Sequence, residues 1–352
     1  MSASTTADDI VVPHDPGMAG LRFRHFHAPD DYAGMAAANQ ATRDAAGMEE
    51  VITAEGMARD YGHFINWDPF HDTVVAERDG RIVGYARTQW RDQTDGERAF
   101  TTVVVVEPGQ TGIGITEALL AWAEDRLVAI ARAIPTAERR PGSMRTFSFG
   151  SEADYAALLE TRGWARTGQG HEMVRPDLDE IPDVPLPAGL VVRPIGLDTA
   201  SRRAVWDAAV EAFADERNEE EASEEDWASF LSDPRQDPAL WVIAFDGDDI
   251  AGGVQGKIDP EENAHHGRER GLLDGVWTRR AWRRRGLARA LIARSLVRLR
   301  DHGMTSAYLG VDGLNPNQAM TLYESVGFGI VSTAYDWTKP LPADAGPMEV
   351  PT

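Results

Sequence analysis

The run Val276-Trp277-Thr278-Arg279-Arg280-Ala281-Trp282-Arg283-Arg284-Arg285-Gly286-Leu287-Ala288 has residue types suited to holding an anion on backbone amides. It passes from an apolar strand-like segment into one with helical spacing. The first N–H groups of a helix have no intrahelical partners, and the helix dipole adds partial positive charge there. Gly286 and Ala288 keep side chains out of the way, so phosphate oxygens can reach those amides. Nine arginines and no acids lie between Arg279 and Arg300. In a chain of net charge −22 such a patch suits an anionic ligand of limited size, a diphosphate among them. A solvated helix face is the alternative. Other phosphate motifs fit poorly: a Walker loop needs Gly-Lys-Ser/Thr, and a dinucleotide fingerprint needs a third glycine and a later acid.

The bulk of the chain narrows the chemistry further. Cysteine is absent, which excludes disulfides, thiolate metal sites and a cysteine nucleophile. His265-His266 is the only adjacent histidine pair; it lies in the polar stretch 259–270 and reads as a solvated loop, so no metal is expected. The acidic balance argues against nucleic acid, because phosphate neutralisation needs basic surface. No segment approaches the ~20 apolar residues that span a bilayer, so no membrane is expected. Residues 1–20 are polar, carry Asp8 and Asp9, and read as a disordered leader on a cytoplasmic protein.

The elements that must position the junction occur twice. The length of 352 residues suits two domains. Leu21-x-x-Arg24 matches Leu190-x-x-Arg193 at an offset of 169. Val74-Val75-Ala76 … Ile82-Val83-Gly84 matches Val242-Ile243-Ala244 … Ile250-Ala251-Gly252 at 168. Each is a strand pair about a short charged turn, a hairpin signal. Gly112-Ile113-Gly114 is set against Gly286-Leu287-Ala288 at 174, and Gly163-Trp164 against Gly327-Phe328 at 164. Both copies read as strand, helical region (31–60; 198–232), hairpin, strand (100–106; 272–278), glycine loop, amphipathic helix, strand, short helix and closing strands. The fold class is α/β, each half a twisted mixed sheet flanked by helices. Expected boundaries are a leader 1–20, domains 21–178 and 190–341, an extended proline-rich linker 179–189 and a tail 342–352.

On these residues the chain resembles the GCN5-related N-acetyltransferase (GNAT) superfamily. Arg283-x-x-Gly286-x-Ala288 looks like its acyl-CoA pyrophosphate loop, and Asn315-Pro316-x-x-Ala319-x-x-Leu322-Tyr323-Glu324-x-x-Gly327-Phe328 like its second signature. The two-copy plan is similar to mycothiol synthase-type tandem members. The first copy departs from the pattern: Gly109 stands where the loop's Gln/Arg belongs, and Leu159 where the second copy has Tyr323. The first copy is therefore expected to be non-catalytic, with its glycine loop left as a candidate CoA cradle.

The resemblance implies an acetyl-CoA-dependent N-acyltransferase without a metal. Val276, Trp277 and Thr278 would offer strand amides to the pantetheine arm, one of them stabilising the oxyanion. Arg283, Arg284, Arg285, Gly286, Leu287 and Ala288 would take the diphosphate, and Asn315 the pantetheine amides unless it is only a turn residue before Pro316. Tyr323 would protonate the leaving thiolate; a core aromatic with its hydroxyl at the rim is the alternative. Asp274 is the first choice of base, although strand alternation equally allows it to face solvent. The acidic stretch 215–226 suits a cationic amine acceptor, or is simply a solvated loop. A non-catalytic acyl-CoA-binding scaffold and a mycothiol synthase remain competing readings, and a monomer and a homodimer both stay open.

Overall fold

In the computed structural model, residues 8–314 and 319–346 are described, and the chain divides into two compact units. One takes residues 1–168 together with 334–352, the other residues 169–333. In chain order the elements are β1 (Leu21–His25), α1 (Tyr32–Ala46), α2 (Ala54–Gly62), β2 (Thr73–Arg78), β3 (Arg81–Asp92), β4 (Arg98–Val106), α3 (Ile115–Ala133), β5 (Gly142–Phe149) and α4 (Ala153–Thr161). Then come β6 (Ala165–Arg175), β7 (Leu190–Arg193), α5 (Thr199–Phe213), α6 (Glu224–Ser232), β8 (Trp241–Asp246), β9 (Asp249–Ile258) and α7 (Pro260–His266). The chain closes with β10 (Arg270–Thr278), α8 (Leu287–Asp301), β11 (Ser306–Asp312), α9 (Ala319–Glu324) and β12 (Gly329–Pro340).

Each unit is built on a mixed sheet. In the first the order is β1-β2-β3-β4-β5-β12, and in the second β6-β11-β10-β9-β8-β7. All pairings are antiparallel except β4 with β5 and β10 with β11. The β2–β3 turn places Asp79 and Gly80 at φ 51° and 79°, the left-handed pair that a tight hairpin requires. The duplication extends to irregularities: β2–β3 shifts register between Ala76 and Glu77, and β8–β9 between Ala244 and Phe245. α3 buries Ile115, Leu119, Leu120 and Leu127, and α8 buries Leu287, Leu291, Leu296 and Leu299, each a helical stripe laid on its sheet.

Several expected boundaries change. The units do not divide at 178 and 190, because β6 beyond Gly168 pairs with β11 while β12 from Ala334 pairs with β5. The described part of the leader is not disordered. Ile10 donates to the Phe23 carbonyl at 2.8 Å, His25 donates to that of Asp8 at 3.1 Å, and Val12 is buried under α3. Single apolar residues in a polar stretch suffice once a sheet edge is there to receive them. The described part of the tail packs as well, through buried Ala345 and an Arg132–Asp344 ion pair. In the linker, Arg294 donates to the Val184 carbonyl at 2.7 Å. His265 and His266 lie on α7, capped by Asp259, and not in a loop. Among the described residues no helix is long and apolar enough to cross a membrane, and no cluster of His, Asp or Glu suits a metal ion.

Glu124 on α3 locks the last strand into the first unit. It accepts from Arg162 at 2.6 Å, from the Trp164 indole at 2.6 Å and from Lys339 of β12 at 3.0 Å. Burial raises its carboxyl, and the bonds from Arg162, Lys339 and Trp164 outweigh that and hold it below the usual range. Removing one partner of such a buried pair costs ~3–5 kcal/mol, the loss expected for Glu124→Ala in urea melts at pH 7. Because the folded value is depressed, this contribution is complete above the ordinary Glu value of ~4.3 and fades as pH falls through the lower folded value. The gap between wild type and variant should therefore shrink at pH 3.

Candidate active site

β10 and β11 run parallel, but their register covers only Arg270–Leu272 against Ser306–Tyr308. Past Leu272 that edge of β10 leaves the ladder. On its other side β10 stays paired with β9 except for a bulge between Asp274 and Val276, where Gly275 has φ 47°. A side chain at 275 would also strike Gln255 Oε1, 2.7 Å from the position of its Cβ. A cavity of about 500 Å3 opens where the strands part. Leu272–Thr278, the start of α8, the end of β11, α9 and the last turn of α5 form its wall. The Trp277 indole N–H and the Thr278 hydroxyl, both on this strand, are buried without a hydrogen-bond partner.

One end of the cavity is cationic. Gly286 caps α8 at φ 82°, and no atom lies within 4 Å of where its side chain would be. Arg284 sits at φ 60°, a left-handed conformation that costs a non-glycine residue of order 1–3 kcal/mol and clusters at functional sites. Arg284 and Arg289 line the wall. Arg283 also lines it, but its guanidinium is engaged by protein. Nε donates to the Thr278 carbonyl at 3.0 Å, Nη2 to that of Ala212 at 2.7 Å, and Nη1 to Asp215 at 3.0 Å. Arg283, expected to grip phosphate, instead ties the loop to the end of α5.

Acidic side chains share the wall. Asp274 lines the cavity with Lys257 2.7 Å away, and Lys257 also reaches Asp233 at 3.1 Å. Glu216 and Asp312 share the wall, Asp312 paired with Arg217 at 3.4 Å. Tyr323 is buried on α9; burial, and then the charge of Glu216, raise its phenol above the ordinary range. Burial also pushes Glu219 up to about 7, with Glu216 and Glu220 adding to it. Much of the acidic stretch has local duties: Asp215 pairs with Arg280 and Arg283, Glu224 with Arg203, and Asp226 completes a capping box on α6.

The structure thus brings Asp274, Val276, Trp277, Thr278, Arg283, Arg284, Gly286, Leu287, Ala288 and Tyr323 to one cavity. Arg285 is exposed and stands outside that wall, and Asn315 lies outside the described residues. Glu216 and Arg289 also line the wall, and Lys257 pairs with Asp274, although none of the three is among the expected residues. Arg289 had a signal in its place three residues past Gly286, and Lys257 in being one of only two lysines.

A family model described as Acetyltransferase (GNAT) matches residues 30–150 and again 203–328. The chain belongs to the GNAT acetyltransferase family. It is 28% identical over 278 residues to a mycothiol acetyltransferase of Geodermatophilus obscurus, covering 76% of this chain and 82% of the relative. A mycothiol acetyltransferase of Salinispora arenicola is 29% identical over 263 residues, 74% of this chain and 78% of the relative. A GCN5-related N-acetyltransferase from Sphaerobacter thermophilus shares the fold with a TM-score of 0.70 at 23% identity, over 94% of this chain and 97% of that one. A tandem GNAT protein from the clavulanic acid biosynthesis pathway does so at 0.62 and 18%, over 94% and 100%.

The two GNAT copies can now be aligned by geometry. Gly114 caps α3 as Gly286 caps α8, and Gly112 at φ 72° stands where Arg284 stands. The counterpart of Arg283 is therefore Thr111, not Gly109, each being the residue that ends a short 3-10 turn. Leu159 does occupy the Tyr323 place: Trp164 donates to its carbonyl at 3.0 Å as Phe328 donates to that of Tyr323 at 3.1 Å. The β3–β4 register runs without the bulge found in β9–β10.

If Arg283 is a brace, Arg283→Ala should lower stability in thermal melts by about 1.5–3 kcal/mol for each of its two carbonyl bonds. Lysine should not restore it, since a single ammonium cannot reproduce the planar fork.

Proposed function

We propose that the second GNAT copy moves an acetyl group from acetyl-CoA to a primary amine of a small molecule or peptide by direct attack. The observation that supports this most is a single cavity wall shared by the open start of α8, the freed edge of β10 and the Tyr323 phenol. The diphosphate would lie on the amides around Gly286, with Arg284 and Arg289 beside it. The pantetheine arm would follow β10, where Trp277 and Thr278 have polar groups to satisfy. In the reaction the amine nitrogen bonds to the thioester carbon and the carbon–sulfur bond breaks. An N–H of β10 at the bulge steadies the oxyanion as it forms.

The proton traffic follows from the side chains of the wall. Tyr323 keeps its proton at neutral pH, because its phenol is shifted upward. It therefore donates a hydrogen bond to sulfur and passes the proton as charge builds there, and the second proton, shed by the nitrogen once it is acylated, restores the phenol; desolvation raises the basicity of the thiolate in the same way. The proton of the incoming ammonium goes to the acidic side chains of the wall, Asp274 held in place by Lys257 and Glu216 among them. These carboxylates also favour a cationic acceptor, such as an aminoglycoside, a polyamine or a basic peptide. The name carried by the relatives supplies a second reading of the acceptor, that of a mycothiol acetyltransferase.

Release of CoA can be followed with a thiol reagent, since the chain has no cysteine of its own. Tyr323→Phe is expected to cut kcat ~10²–10⁴-fold with little change in KM for acetyl-CoA. Unaltered turnover across pH would remove Tyr323 from the mechanism. Calorimetric binding of acetyl-CoA with no thiol release from any amine, mycothiol precursors included, would replace the enzyme with a binding scaffold.

A further inference from the structure

We infer that the first copy holds no acyl-CoA, because the chain's own N-terminal segment closes its cradle by setting Pro16 against Gly114. The loop itself has kept the backbone shape of a phosphate-binding turn. Gly112 and Gly114 have φ 72° and 92°, close to the 60° of Arg284 and the 82° of Gly286. What differs is the space in front of it. A Cβ built on Gly114 meets the Pro16 Cβ at 3.0 Å and its Cγ at 3.6 Å, whereas the same construction on Gly286 meets nothing within 4 Å. The proline ring thus fills space beside the Gly114 backbone that stands open beside Gly286.

The segment carrying Pro16 is anchored on its N-terminal side. Ile10 and Asp8 bond along β1, and Val12, only 5% exposed, is packed with Ile115, Ala118 and Leu119 of α3. Displacing Pro16 therefore means pulling at a buried side chain next to the same helix. Charge works in the same direction. α3 has Glu117 in its first turn, and the loop is preceded by Glu107. α8 has no acid in its first turn, and residues 279–289 contain six arginines. An anion at a helix start is already supplied in the first copy by the protein itself. Further along, Leu159 supplies no phenol, and β4 has no bulge like the one in β10.

The full-length protein titrated with acetyl-CoA in a calorimeter should bind one equivalent per chain. Gly286→Glu and Ala288→Glu should each weaken that binding at least ~100-fold and leave no second saturable site, with circular dichroism reporting that the fold is kept. Two equivalents in the wild type, or a saturable site surviving in either folded variant, would overturn the inference. No binding at all would leave the closed cradle standing and strike down the donor assignment of the second copy instead.

Discussion

The active-site reading depends on a short parallel ladder. After Leu272 and Tyr308, β10 and β11 stop sharing hydrogen bonds, and backbone groups that a sheet would normally consume are turned to other use. A strand edge inside a protein demands partners, and the Gly275 bulge re-aims it without breaking its pairing to β9. The cavity, the open helix start and the buried phenol all stand around that gap. Arg283 ties the loop before α8 to the end of α5.

Duplication supplied the scaffold twice, and small local changes separated the copies. The same hairpin, the same register shift and the same hydrogen bond after α4 and α9 recur in both. Divergence is concentrated in a few atoms: a phenol lost at Leu159, a bulge absent from β4, a proline ring before Gly114. None of these disturbs the packing of α3 or α8 on its sheet. A fold of this kind can vary its loops and site positions without disturbing its core, because the two rest on different residues.

Much of this was legible in the sequence where one local rule dominates. Asp79-Gly80 announced its turn, the leucine spacing of α8 its buried face, and the repeated glycine–aromatic pair located Leu159 opposite Tyr323. Features set by distant partners were not legible. The acceptors that engage Arg283 lie on Ala212 and Asp215, far away in the chain, and nothing near Arg283 marks them. Gly109 was set against the wrong residue because glycine content guided the alignment, whereas backbone shape pairs Gly112 with an arginine. The borders of the units escaped for a related reason: the closing strands of duplicated copies have similar patterns, and alternation does not say which sheet will take them.

That exchange of strands has a consequence for how the chain is made. The first unit lacks one strand of its sheet until residues 334–340, which follow the whole second unit, have been synthesised. During translation β5 must wait with an open edge while the whole second unit is produced and can already fold. Such an edge invites pairing with the wrong strand, and the most similar candidate is β6, which arrives first. The nascent protein thus faces a choice of partner that two domains arranged simply in series would never meet.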